Sequence, residues 1–476
     1  MRVLMLGWEF PPFISGGLGT ACHGLTKALG RQHVQVQFVL PRPLTLPTAS
    51  HVKLLAPRPA VQSITVTSGD RMWGRPVSSP VSVTHAGSSW AHGESVSSLE
   101  NVTFRTVASR QASGYQSAAT SVNRPKRKSV RQMDPITGRW IETEDLNQPV
   151  SVLGSQTSMQ PGEVYGGDMI AEARRYASMC LEITAGESFD VVHAHDWMTF
   201  PAGLAVAAAS GKPLVVHVHS TEFDRSGSNV HQQVYDIERR GMLGAVRVIA
   251  VSHLTRTILE HRYGIPSAKI DVVYNGIDTD QGGSDVFNSK AGIQKTDKIV
   301  LFLGRITMQK GPEYFVAAAK KVLEKYDRVK FVIAGTGDKI RQTIELAASE
   351  GIGHKVLFTG FLHGRDVERV FKMADVYVMP SVSEPFGIAP LEAIQHDVPV
   401  IISRTSGVAE VLTHALKVDF WDTHEIANKI IAVLRHPPLS TTLRQHADLE
   451  VRRLTWDGAA TRCIQTYEQA IATMPE

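Results

Sequence analysis

Two consecutive series of short apolar runs, each run followed by a longer helical pattern, constrain this chain more than any other feature. The first series occupies residues 3–6, 34–40, 191–193, 214–218, 246–251 and 270–274, with a helical pattern at 18–29 after the first run. The second occupies 299–303, 330–334, 356–358, 376–379 and 398–402. Runs this short and this apolar read as strands buried on both faces, and the helical intervals read as their crossover connections. The rhythm predicts an α/β fold: two doubly wound, Rossmann-like parallel-sheet domains facing across a cleft. A length of 476 residues also exceeds one ordinary core. The expected division is a first domain at 1–278, a polar linker at 279–296 containing Gly282-Gly283, a second domain at 297–455, and a last helix at 456–476 that crosses back onto the first domain. Ligand is expected in the cleft, at the carboxyl ends of the strands.

Bulk properties exclude several classes. An apolar fraction of 43% with 20% charged residues suits a soluble globular enzyme. A net charge of +4 over this length gives no case for nucleic acid as the main partner. Cys22, Cys180 and Cys463 are far apart and odd in number, which reads as reduced thiols in a cytoplasmic protein and not as a disulfide frame or zinc ribbon. The opening Met1-Arg2-Val3-Leu4-Met5-Leu6-Gly7 is too short for a secretory leader and reads as the first buried strand. No stretch approaches the roughly 20 apolar residues that span a bilayer, although a peripheral membrane contact stays open. Oligomeric state is not readable. Residues 107–161 break the pattern: they are rich in Ser, Thr, Gln and Gly, with Arg124, Lys126, Arg127, Lys128 and Arg131 clustered. They read as a surface insertion, with a lid over an acceptor or anionic surface as the functional alternative and a local hairpin at Gly138-Arg139-Trp140.

Chemistry concentrates in Ser381-Val382-Ser383-Glu384-Pro385-Phe386-Gly387-Ile388-Ala389-Pro390-Leu391-Glu392, which holds two carboxylates spaced E-x7-E around a helix start. The peptide N–H groups of Gly387, Ile388 and Ala389 lie where a helix leaves its donors unpaired, so they suit a diphosphate. Glu384 and Glu392 repel phosphate but accept hydrogen bonds from hydroxyls, such as those of a ribose and a sugar. Together these features outline a nucleotide-sugar site. Gly304-Arg305 and Lys310-Gly311 follow a buried strand and supply two fixed cations, which stabilise the charge that builds on a departing nucleoside diphosphate. Gly16-Gly17-Leu18-Gly19 comes between the first strand and a helix, where glycine lets the backbone approach a ligand. His193, His195, Asp196, His217 and His219 end two neighbouring strands and raise the question of a metal. No two of the histidines have helical i,i+3 or i,i+4 spacing, and the reading adopted is no metal and no cofactor.

These motifs, in this order, resemble the retaining glycosyltransferases of the GT-B fold, above all glycosyltransferase family 4, with the glycogen and starch synthases as near relatives. The matched pieces are Trp8-Glu9-Phe10-Pro11-Pro12 with the glycine loop, His193-Ala194-His195-Asp196-Trp197, His217-Val218-His219, Gly304-Arg305 with Lys310-Gly311, and E-x7-E. They cover about residues 1–40 and 190–460. The resemblance implies a first domain that binds acceptor and a second that binds a nucleoside-diphosphate sugar. It implies catalytic roles for His219, Glu384, Arg305 and Lys310. It implies donor contacts at Gly16, Gly17, Arg305, Lys310, Phe361, Leu362, Glu384, Gly387, Ile388, Ala389 and Glu392, with Phe361 and Leu362 near the base. It places Glu9, His195 and Asp196 on the acceptor or sugar side. The lysine that bacterial glycogen synthases carry two residues before the first glycine is Ile14 here, which moves the chain towards family 4 and leaves the donor base open between ADP-glucose and UDP-glucose.

The expected reaction is transfer of a hexose, glucose by preference, to an α-glucan or another glycan. Alternatives are a family 4 transferase of lipopolysaccharide, capsule or glycolipid synthesis, a sugar-nucleotide 2-epimerase on the same fold, and a glucan-binding protein with a dead site. Intact Arg305, Lys310, Glu384 and Glu392 argue against the last.

Overall fold

A computed structural model describes residues 1–10, 16–41, 169–278 and 297–474, together with the backbone of a few short strands between 53 and 144. It contains two seven-stranded sheets. The first is parallel throughout and runs, in spatial order, Ile270–Val272, Arg247–Ala250, Leu214–Val218, Val191–His195, Arg2–Leu6, Gln35–Val39 and Lys53–Leu55. The second runs Leu416–Val418, Val400–Ser403, Val376–Met379, Lys298–Leu303, Val329–Ala334 and Val356–Gly360 in parallel, and Arg105–Thr106 adds an antiparallel edge. Central strands such as Val191–His195, Leu214–Val218 and Val376–Met379 are buried at every position, as a sheet covered on both faces requires.

Three edge strands, Lys53–Leu55, Arg105–Thr106 and Leu416–Val418, are additions to the expected set. At two or three residues each they are too short to show a period. One expected strand start moves from 398 to Val400, because Pro399 has no N–H to give to a ladder, although its carbonyl accepts from Tyr377 N–H. Inside the 107–161 insertion, Ser129–Met133 and Trp140–Glu144 form an antiparallel hairpin, with Trp140 opening its second strand. The rest of that insertion, the 279–296 linker and Ile14 lie outside the described residues.

Where the chain leaves the first domain after Asp278 and where it returns before Trp456, the two segments touch. Ile277 pairs with Thr455 in a parallel bridge, and its N–H donates to Leu454 O at 3.0 Å. A Cβ on Gly276 would lie 2.2 Å from Trp456 N, so this approach admits only glycine. Beyond the crossing, the helix Trp456–Ala472 is capped by Thr455, whose side chain accepts from Gly458 N–H. It packs against the helix Gly17–Arg31, with Trp456, Cys463, Tyr467 and Ala470 in the same buried cluster as Val3, Met5, Leu25 and Phe38. The final helix is thus structural material of the first domain.

Candidate functional site

The second-domain wall of the cleft is built on loops after strands. Strand Lys298–Leu303 runs into Gly304 and the exposed Arg305. A Cβ on Gly16 would lie 3.9 Å from Arg305 Nε, so the glycine loop and this guanidinium face each other. Gly17 is exposed beside it. The 3-10 turn Met308–Lys310 then presents Lys310, whose ammonium donates to Glu384 Oε2 in an ion pair. Ser381 Oγ donates to the same oxygen at 3.2 Å. Glu384 is only 6% exposed, so a buried carboxylate is matched by a cation and a hydroxyl. Its backbone is fixed as well: its N–H donates to Thr405 O at 3.1 Å and its carbonyl accepts from Gly407 N–H at 2.9 Å.

Gly387 has φ +105°, in the region that favours glycine, and a Cβ there would press on Glu384 Cγ at 3.2 Å. Among the described residues, the N–H groups of Gly387, Ile388 and Ala389 have no hydrogen-bond partner. Helical bonding begins with Leu391 and Glu392, whose N–H groups donate to Ile388 O at 2.9 and 3.1 Å. The helix Ala389–Gln395 has seven residues, so its macrodipole is small and the individual N–H groups are what it offers an anion. The side chain of Ile388 packs against both domains' cores.

The structure separates the two carboxylates of E-x7-E. Glu384 stays with Lys310 and Ser381. Glu392 is half-buried and faces a cleft of about 320 Å³ beside the crossing, shared with His23, Asp278, Glu368, Gln395 and His396. Burial pushes its carboxyl up to about 7. Phe361 lies edge-on to His363, with ring centroids 4.5 Å apart, and Leu362 packs against the cluster that contains Leu391 and Phe386.

The first-domain wall is of another kind. His193 and His195 on one strand pair in register with Val215 and His217 on the next. With His219 beyond the strand end, four imidazoles share one face of the sheet. Burial lowers all four, His193 and His219 to about 3 and His195 and His217 well below the usual value, so they are neutral. His195 Nδ1 and His219 Nε2 are hydrogen-bonded at 2.9 Å, and Tyr467 of the crossing helix reaches His193 Nδ1 at 2.7 Å. Asp196 takes the left-handed conformation, φ +59°. This turns its carboxylate onto the next strand end, where Oδ1 accepts from His219 N–H at 2.7 Å and Ser220 N–H at 3.3 Å. Burial raises this carboxyl to about 7, against the opposing pull of Arg225 and those two N–H groups. Asp196 therefore fixes the backbone of His219. Glu9, after the strand Arg2–Leu6, is 1% exposed.

His193, His195 and His217 offer nitrogens within 4.8 Å of one another. Their rings stack, at 8° for His193 and His217 and 30° for His195 and His217. Stacked rings send their nitrogen lone pairs out side by side, whereas the ligands of one ion converge. Against that, His193 Nε2, His195 Nε2 and both ring nitrogens of His217 are buried with no hydrogen-bond partner among the described residues.

Three features of the site were not legible beforehand. Ser381 supports Glu384. Ser252 Oγ donates to Pro385 O at 2.6 Å from the other domain. Glu410 accepts from the N–H groups of His253 and Leu254 at 2.9 and 2.7 Å and from Tyr274 OH at 2.9 Å. Ser381 stands beside Glu384 in sequence, but the partners of Ser252 and Glu410 are more than 130 residues away and carry no motif of their own.

Comparison with known proteins places the chain among glycosyltransferases. The family model for group 1 glycosyl transferases matches residues 284–449, that for glycosyltransferase family 4 matches 163–281, and that for the starch synthase catalytic domain matches 2–87. An uncharacterised glycosyltransferase of Methanocaldococcus jannaschii is 33% identical over 309 residues, covering 62% of this chain and 79% of that protein. The glycogen synthase of Mycobacterium tuberculosis H37Rv is 26% identical over 286 residues, covering 58% of this chain and 68% of that one. Among solved structures, sucrose-phosphate synthase from Thermosynechococcus elongatus superposes with a TM-score of 0.65 at 16% identity, covering 99% of both chains. Anabaena HepE in complex with UDP and glucose gives 0.60 at 15%, covering 98% of this chain and 100% of that one. At such identities the structures establish the GT-B fold.

Proposed function

The chain belongs to the family 4-type glycosyltransferases of the GT-B fold, and from that premise we propose that it transfers a hexose, glucose by preference, from a nucleoside-diphosphate sugar to an α-glucan or related glycan with retention of configuration. The observation that carries this reading is the cluster of Lys310, Glu384 and Ser381 beside the unpartnered N–H groups of Gly387, Ile388 and Ala389, with Arg305 opposite. Cations and N–H donors of this kind match a diphosphate, and they act most strongly as the leaving group gains charge. The HepE complex with UDP and glucose supports the donor class, and the glycogen synthase relative supports the acceptor.

In this reading the diphosphate lies between Arg305, Lys310 and the Gly387 turn. Glu392 accepts from the ribose, Glu384 meets the sugar, and Phe361 and Leu362 border the base. His219, held by Asp196, flanks the anomeric carbon on the other wall, with Glu9 and His195 behind it. Retaining hydrolases use a nucleophile and an acid about 5 Å apart. Here Glu384 is tied to Lys310, so attack on the face of the departing group, with the leaving phosphate accepting the acceptor's proton, suits the residues better. Fixed cations take the place that a divalent metal holds elsewhere.

A donor screen tests the proposal. The protein is mixed with ADP-, UDP- and GDP-sugars, with and without glycogen and with and without EDTA, and nucleoside diphosphate release is measured. Glycogen-dependent release from ADP- or UDP-glucose that survives EDTA is expected. Turnover of donor without any acceptor would favour epimerase chemistry instead.

A further inference from the structure

Two polar side chains from opposite walls meet beside this site. Ser383 Oγ donates to Asp224 Oδ1 at 2.6 Å, across 159 residues of sequence. Asp224 is 2% exposed. Its other oxygen, Oδ2, accepts from both the N–H and the hydroxyl of Thr221 at 2.7 Å, and Thr221 returns the contact to Asp224 N–H in a capping box. The short helix that follows is held by Arg225, which pairs with Glu222 and Glu238. The first domain thus fixes Asp224 rigidly, satisfies one of its oxygens, and aims the other across the cleft. On the far side, Ser383 immediately precedes Glu384, and Val382 N–H donates to Gln309 O at 2.9 Å, next to Lys310. The contact joins the turn after His219 to the loop that carries Glu384.

We propose that Asp224 and Ser383 form a latch that holds the two walls in the closed arrangement used for transfer, acting as positioning residues. The proposal rests on the transferase reading for its kinetic consequence, but the latch itself is a conformational statement. A buried carboxylate oxygen with one donor is costly to leave unpaired, whereas water satisfies the same oxygen once the walls part. Removing the donor therefore penalises the closed form and spares the open one, which is the condition for a population shift. The bonds from Ser252 to Pro385 and from Glu410 to the start of the helix His253–Tyr263 remain. The expected effect is accordingly a shift towards open molecules and not loss of the interface.

The test compares wild type, Ser383→Ala and Ser383→Thr by steady-state kinetics, by calorimetry with UDP and ADP, and by small-angle X-ray scattering. Ser383→Ala should lower kcat by about tenfold, the effect of one charge-assisted hydrogen bond on the closed population. It should increase the radius of gyration and leave nucleoside diphosphate affinity within about twofold, since that ligand is held by the second domain. Ser383→Thr keeps a hydroxyl and should restore both kcat and compactness. Unchanged kcat and scattering in Ser383→Ala would overturn the latch. Equal loss of nucleoside diphosphate affinity would also overturn it, because Ser383 would then act only on its own loop. If wild type turns over no donor, the transferase reading fails, and scattering still decides the latch.

Discussion

The two walls of the cleft solve different problems with different materials. The second-domain wall concentrates formal charge on loops: Arg305 is exposed, and Lys310 is paired to the buried Glu384. The first-domain wall holds four imidazoles at and just beyond two strand ends, kept neutral by burial, with the carboxyl of Asp196 securing backbone N–H groups beside them. Fixed charge is useful where charge develops during reaction, and a rigid neutral surface is useful where a sugar must be oriented. In the proposed function, this contrast places the diphosphate at one wall and the sugar's reacting face at the other.

The largest effect that can break this contrast is loss of a cation. Arg305→Ala and Lys310→Ala should each lower turnover by roughly 100- to 1,000-fold, the usual effect of removing one preorganised charge-stabilising group. Their stabilities should differ. Arg305 is exposed, so its loss should leave the melting temperature unchanged. Lys310 offsets a buried carboxylate, so its loss should cost about 1–3 kcal/mol of stability. Near-normal turnover in either variant would remove the diphosphate from this wall.

Next in size is the division within E-x7-E. Glu392→Ala should weaken free nucleoside diphosphate by about 1.5–3 kcal/mol, the range for hydrogen bonds to a charged group. Glu384→Ala should spare that affinity and lower transfer, because the free diphosphate carries a ribose but no sugar. Calorimetry with ADP or UDP beside turnover separates the two, and equal losses would refute the assignment.

The pH dependence of stability sharpens the contrast further. His23, His193, His195, His217 and His219 are all lowered by burial, so unfolding lets them bind protons once the pH falls below about 6.5. Asp196 and Glu392, at about 7, and Glu238, also raised, act in the opposite sense. They hold protons in the fold that the unfolded chain does not bind until about pH 4. The histidines outnumber the carboxyls, so between about pH 6.5 and 4 the unfolded chain binds more protons and stability falls as pH falls. Melting temperatures at pH 7, 6 and 5 should decrease in that order. An increase would mean that the histidine wall is solvated or carries charge in the fold.

Legibility followed the same physical line. Central strands were plain because burial on both faces demands an unbroken apolar run, as in Val376–Met379 and Leu214–Val218. Edge strands such as Leu416–Val418 carry no such demand and were missed. Individual donors and acceptors in E-x7-E could be named because helix starts and glycine turns have local rules. The separation of Glu392 from Glu384 and the pairing of Lys310 with Glu384 depend on how loops 74 residues apart meet within the second domain, and the contacts of Ser383, Ser252 and Glu410 depend on how the domains dock, which no local rule encodes.

The smallest expected effect concerns the 107–161 insertion. Its composition is too polar to bury much apolar surface, and its one described element, the hairpin Ser129–Met133 with Trp140–Glu144, pairs with no other strand among the described residues. A two-stranded hairpin alone adds little stability. Replacing 107–161 by a short Gly/Ser connection should therefore leave the melting temperature nearly unchanged and leave nucleoside diphosphate affinity, a property of the second wall, intact. Acceptor use is the informative readout. A selective rise in KM for glycogen would make the insertion, with its cluster of basic residues, an acceptor-side lid on the first domain. A collapse of the melting temperature would instead make it part of the core, and the division of labour between the walls would have to include it.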